Sequence, residues 1–148
     1  MKKMTLFPPA FLLIYLILAF ILHFFLSLYR ITSLYRFLGI VFIIIGLTIN
    51  IWADSSFKKE KTTVKPNEDP SKLITEGPFH FSRHPMYLGF ILILLGVVIV
   101  LGSISSFIAL IMIFVTLEKI FIPLEEKQMK KYFGEKYLEY KSRVRRWL

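Results

Sequence analysis

The stretch GPFHFSRHPMYLG, residues 77–89, runs directly into FILILLGVVIVLG, residues 90–102. The first block collects Phe79, His80, Phe81, Arg83, His84 and Tyr87 around two prolines, and the second is almost wholly apolar. From Pro85 to Leu101 this is the pattern of a helix built for hydrocarbon, so the cluster before it sits at a helix mouth. Charge at such a mouth is costly to keep without a use. Pro85 suits the first helical position, which leaves backbone N–H groups near His84 to Tyr87 free at a positive helix end. Arg83 and His84 would add side-chain donors for a carboxylate or phosphate. The same residue types also suit a plain interfacial anchor at the lipid head groups.

Working outward, the 148-residue length allows one domain. With 55% hydrophobic residues and a mean hydropathy of +0.62, the chain is too apolar for an ordinary soluble protein. It has no cysteine, which excludes a disulfide framework, a thiol nucleophile and a cysteine-ligated metal. The net charge is +9, yet all ten acids lie in Asp54–Glu76 and Glu118–Glu139, together with most of the basic residues. That is segregation by a membrane, not a nucleic-acid-binding face.

Four spans follow from hydropathy: about residues 11–29, 34–52, 85–101 and 107–122. The fold class expected is an all-α integral membrane protein, a single domain over residues 1–148. Lys2 and Lys3 precede a run too long for a signal sequence, so the first span reads as retained. His23 is its one titratable residue, and a lone histidine there is usually bonded to a neighbouring helix. Gly39 and Gly46 share one face of the second span, as Gly89 and Gly96 do on the third, and such faces let helices approach closely. Residues 54–82 read as a long polar loop whose second half regains apolar side chains. Pro123 is expected to end or kink the fourth helix, and short cytosolic helices over 124–143 are divided by Gly134.

Positive charge orients the chain. Six Lys/Arg lie in 54–84, nine after Glu118 and two before the first span, against Arg30 and Arg36 alone on the other side. Both termini and the loop are therefore expected in the cytoplasm, of a multi-pass protein in the prokaryotic plasma membrane. Arg83-His84 and Glu125-Glu126 then share one membrane side, separated by about the 8–10 Å between packed helices. Donors facing two carboxylates suit a zwitterion or a cofactor carrying a positive sulfonium. The carboxylates could equally form an acid/base couple or stabilise a helix N-terminus after Pro123. Without cysteine, and with few histidines, no zinc site is expected.

The motif R-H-P-x-Y-x-G over Arg83–Gly89, followed after a hairpin by Glu125-Glu126 and F-G-E-x-Y-x-x-Y, resembles the isoprenylcysteine carboxyl methyltransferase and phospholipid methyltransferase superfamily. The resemblance covers about residues 72–148. It implies a membrane enzyme that uses S-adenosylmethionine at the cytosolic face and methylates a lipid or another lipophilic small molecule. Carried over position by position, it implies cofactor contacts at Lys72, Leu73, Ile74, Phe79, His84, Pro85, Met86, Tyr87 and Glu125, with Glu126 completing the acidic pair. No catalytic nucleophile is implied. Phe121 stands where the prenylcysteine enzymes carry an arginine facing the substrate carboxylate, which points away from that acceptor. Leu73, Ile74 and Phe79 are expected to order over bound cofactor as a lid.

Two other readings use the same residues. One is a nicotinamide-dependent reductase of the sterol-reductase type, using NADPH. The other is a non-enzymatic scaffold whose basic end, Arg143 to Trp147, binds anionic membrane lipids.

Overall fold

In the computed structural model, residues 8–26, 35–60 and 70–148 are described. Arg30, the N-terminal Lys2 and Lys3, the last residues of the first expected span, 27–29, and residues 61–69 of the polar loop lie outside them. The described residues form six α-helices: α1 Pro8–Phe25, α2 Arg36–Lys59, α3 Pro85–Leu101, α4 Phe107–Thr116, α5 Ile122–Phe133 and α6 Glu135–Arg143. Single 3₁₀ turns at Gly77–His80 and Ile104–Ser106 precede α3 and α4. Among the described residues, three helical stretches are long and apolar enough to cross a membrane: Pro8–Phe25, Arg36–Lys59 and Ile104–Phe133. Apolar α3, at 17 residues, is shorter.

Helix α3 is the axis of the bundle. Its glycines meet those of α2 in antiparallel register, Gly39 against Gly96 and Gly46 against Gly89. A Cβ on Gly39 would lie 2.5 Å from the Gly96 carbonyl oxygen, and one on Gly46 would lie 2.7 Å from that of Gly89. Only backbone fits there. On the other side, Leu94 and Val98 of α3 are fully buried with Ala19 of α1 and Ala109, Ile113 and Leu117 of the fourth helical run. Helix α1 is pinned to that run at both ends. Tyr15 Oη and Thr116 Oγ1 share a 2.7 Å hydrogen bond, and Ser106 Oγ donates to the Ala19 carbonyl at 2.9 Å. Helices α1 and α3 thus run one way, and α2 and α4 the other.

Two expectations are corrected. Helix α2 does not end at Trp52 but continues to Lys59, so residues 54–59 belong to a helix and not to the loop. A Lys58–Asp54 ion pair one turn apart supports this exposed extension. Nor does Pro123 end the fourth span. Residues Leu117–Phe121 form a π-turn, in which the Ile122 N–H donates to the Leu117 carbonyl five residues back, and α5 continues from it. Proline lacks an N–H and its ring crowds the carbonyl four residues earlier, here Lys119. A locally wider turn absorbs that conflict without breaking the helix. The chain leaves α5 at Gly134, whose φ of +52° suits glycine.

Candidate active site

The polar residues gather at one end of the bundle, where α2 and α4 finish and α3 begins. Pro85 opens α3, and His84 before it is buried, as is Ser82. Ser82 Oγ accepts from the His84 N–H at 3.2 Å and donates to the Arg146 carbonyl at 3.1 Å. The Arg83 N–H donates to the Arg145 carbonyl at 3.0 Å. The segment after α6 is therefore strapped across the entry to α3.

Arg83 and His84 face inward, with side chains 8% and 4% exposed, toward the carboxylates of α5. An interfacial anchor would point at head groups, so that reading of the pair does not hold. Arg83 Nη1 lies 2.8 Å from Glu126 Oε1. His84 Nδ1 lies 3.4 Å from Glu125 Oε2, and its Nε2 lies 3.6 Å from Glu126 Oε1, beyond hydrogen-bond range. Burial opposes the charge on His84, but the carboxylates of Glu125 and Glu126 outweigh it and hold the imidazole above its ordinary pKa. Tyr87 stacks on His84 with ring centroids 5.6 Å apart.

The two glutamates are not equivalent. Glu126 is buried and takes Lys141 Nζ at 2.9 Å, Arg146 Nε at 3.1 Å and Arg146 Nη2 at 3.3 Å, besides Arg83. Glu125 is about a third exposed, and His84 is its ion-pair partner. Neither caps a helix, because α5 continues from the π-turn and has no free N-terminus for a carboxylate to stabilise. Behind them Arg146 also pairs with Glu118, while Trp147 donates to Glu118 Oε2 at 3.0 Å and stacks on Phe114. Arg146 and Trp147 are thus turned into the protein and are not a free lipid-binding end.

The other expected residues form a second group. Ile74 and Phe79 are buried with Ala53 of α2, and Phe57 and Met86 pack around them. Tyr140 of α6 donates to the Phe79 carbonyl at 2.6 Å. Lys72 pairs with Glu60, the residue that follows α2, and Leu73 is half-buried. A cleft of about 270 Å³ opens beside this group between Trp52, Ser56, Glu60, Ile74 and Gly77. It is lined by none of His84, Glu125 or Glu126, so this open volume does not coincide with the ion-pair cluster. Sequence reasoning missed Tyr137, Tyr140, Lys141, Arg146 and Glu118 as members of the cluster. The F-G-E-x-Y-x-x-Y pattern carried the tyrosines, but nothing local marks Arg146 as inward-facing.

The match to the phospholipid methyltransferase family model spans residues 34–136, from the start of α2 to the first turn of α6. The chain belongs to the phospholipid methyltransferase family. No individual curated protein gives a significant match to it. Both halves of the site, the Arg83–Gly89 motif and the Glu125-Glu126 pair, lie inside the span matched to the phospholipid methyltransferases. The strap at Arg145–Trp147 lies outside it. Among the described residues, no three His, Asp or Glu side chains are placed to hold a metal ion.

Proposed function

We propose that this phospholipid methyltransferase-family chain transfers a methyl group from S-adenosylmethionine to a lipid-like acceptor at the cytosolic membrane face. The observation that carries the reading is the asymmetry of the acidic pair. Glu126 is saturated by protein cations, whereas Glu125 keeps an exposed edge beside His84. Two buried donors, Arg83 Nε and His84 Nε2, also have no hydrogen-bond partner among the described residues. A buried polar group without a partner is costly and marks a place where a ligand completes the bonding. A carboxylate with room for amino or hydroxyl donors, next to N–H groups with room for an acceptor, matches the amino-acid end of that cofactor. The apolar group of Ile74, Phe79 and Met86 would form a wall beside it, with Lys72, Leu73, Pro85 and Tyr87 framing the entry.

The cofactor, when bound, supplies an electrophilic methyl on a sulfonium. The protein contributes orientation and exclusion of water, and displacement of this kind needs no protein nucleophile. Four spans are proposed despite the shortness of α3. Helices α2 and α4 run in the same direction, so a chain that crosses in both must return between them, and α3 is the segment available. The charge asymmetry supports a site on the cytosolic side.

The test is transfer of label from methyl-tritiated S-adenosylmethionine to a chloroform extract of membranes containing the protein. Labelled lipid that depends on the protein and is lost in Glu125→Gln is the expected outcome. Binding of NADPH with no binding of S-adenosylhomocysteine would overturn it.

A further inference from the structure

The strap formed by Arg145, Arg146 and Trp147 has no part in the methyl-transfer reading, lies outside the span shared with the family, and is the most heavily bonded feature of the site. Its role follows from counting acceptor positions on Glu126. An ionised carboxylate offers about four lone-pair sites. Arg146 Nε donates to Oε1, which Arg83 Nη1 also faces as an ion pair at 2.8 Å, and Lys141 Nζ and Arg146 Nη2 donate to Oε2. Those donors fill the carboxylate, and half of them come from one guanidinium. His84 Nε2 is left 3.6 Å away without a hydrogen bond, although both its ring and the carboxylate are buried. Arginine is the residue suited to this, because its planar fork engages both oxygens at once.

We propose that Arg146, anchored by Trp147, is a positioning residue that occupies Glu126 so that His84 stays paired with Glu125 and keeps its Nε2 for the ligand. Trp147 holds the guanidinium in register by bonding the second carboxylate that Arg146 contacts, Glu118, and by stacking on Phe114 at a centroid distance of 5.4 Å. The Ser82 hydroxyl and the Arg83 N–H donate to the Arg146 and Arg145 carbonyls and tie the strap to the two residues that precede His84. Movement of the strap is thereby coupled to the imidazole. With Arg146 removed, two acceptor positions on Glu126 open within a short rotation of His84. The ring turns toward Glu126, and the Glu125 pair and the free nitrogen are lost together.

The groups that face His84 are Glu125 and Glu126 of α5, Arg83 beside it and Tyr87 of α3, with Tyr137 and Lys141 of α6 behind Arg83 and Glu126. Their arrangement makes the imidazole a direct reporter. The chain has three histidines, so the His84 ring nitrogens are assignable by nitrogen-15 NMR against a His84→Gln control. In ligand-free protein in detergent, Arg146→Met is expected to move the His84 Nε2 resonance to a hydrogen-bonded position and to raise its titration midpoint. Trp147→Phe keeps the stack and loses the bond to Glu118, and it is expected to shift both in the same direction by less. S-adenosylhomocysteine affinity should fall by about tenfold or more in Arg146→Met, the loss of one charge-assisted hydrogen bond.

A merely structural Arg146 would lower the melting temperature and leave the His84 resonances where they are. An unchanged His84 spectrum in both variants overturns the proposal. The inference rests on the methyl-transfer reading only for its binding arm. If S-adenosylhomocysteine fails to bind the unmodified protein, that reading falls, while the ligand-free spectra still decide the role of Arg146.

Discussion

The Tyr140 hydroxyl donates a 2.6 Å hydrogen bond to the carbonyl of Phe79, and both groups are buried. Helix α6 is thereby bonded to the turn that leads into α3, across 61 residues of sequence. Burial, foremost, also keeps the Tyr140 hydroxyl protonated well beyond its usual range, so it remains a donor at any physiological pH.

That bond changes the expectation of a lid. Ile74 and Phe79 are buried against Ala53 of α2 while Leu73 is half-buried and Lys72 exposed, so gating is expected at Lys72 and Leu73, which precede them. Amide exchange over residues 74–80 is expected to be slow with or without S-adenosylhomocysteine, and to slow on binding only at Lys72 and Leu73. Tyr140→Phe should free the whole segment. Leaving the Phe79 carbonyl unpaired costs about 1–3 kcal/mol, read as a loss of thermal stability and as faster exchange.

The two glutamates should separate cleanly. Glu125→Gln is expected to weaken S-adenosylhomocysteine binding by about 1.5–3 kcal/mol with little change in stability, since its partners are His84 and Tyr87 alone among the cluster and its edge is exposed. Glu126→Gln should instead cost stability, by about 1–3 kcal/mol, because Arg83, Lys141 and Arg146 lose their shared counter-charge. Equal effects of the two substitutions on melting temperature would contradict the assignment of roles.

Stability should decline through His84 as pH rises above the ordinary imidazole range. Its pKa is raised in the folded protein above the ordinary 6.5, so the proton is held more firmly folded than unfolded. The contribution is complete below the unfolded value and is lost as pH rises through the higher folded one. Melting temperatures measured from about pH 6 to about pH 9 should fall in the unmodified protein and stay flatter in His84→Gln.

The α2–α3 crossing admits no side chain. In Gly96→Ala the new methyl would meet the Gly39 carbonyl oxygen at 2.4 Å and Ile43 at 2.6 Å, so the helices must separate. The expected cost is about 1–3 kcal/mol, the usual scale for overpacking. Unfolding in detergent measures it, and Gly39→Ala should behave alike. A substitution at Gly134, whose Cβ would meet nothing within 4 Å, costs only the strain of its positive φ.

Orientation is tested by reporter fusions after residues 32, 65, 104 and 148, which should read out, in, out and in. An external signal at 65 would remove the site from the cytosolic face.

Hydropathy and glycine spacing located the helices of the membrane domain, because lipid-exposed surface is a local property of each segment. The same logic found the glycine faces that bring α2 onto α3, and the helix stop at Gly134. The Lys/Arg asymmetry and the spacing of packed neighbouring helices brought Arg83-His84 and the acidic pair to one end of the bundle. Three matters were decided by the tertiary structure alone. Pro123 is absorbed by a π-turn because packing of Leu117 and Phe121 into the core favours a continuous helix over a break. Arg146 turns inward, though a run of arginines before a tryptophan reads as a lipid-facing end, because Glu118 and Glu126 lie close enough to pair with it. Glu125 and Glu126, adjacent and chemically identical in sequence, take different roles because α5 presents one to the cations of Arg83, Lys141 and Arg146 and the other to a partly exposed edge. Pairing of charges separated by 20 or more residues depends on distances that no local pattern encodes.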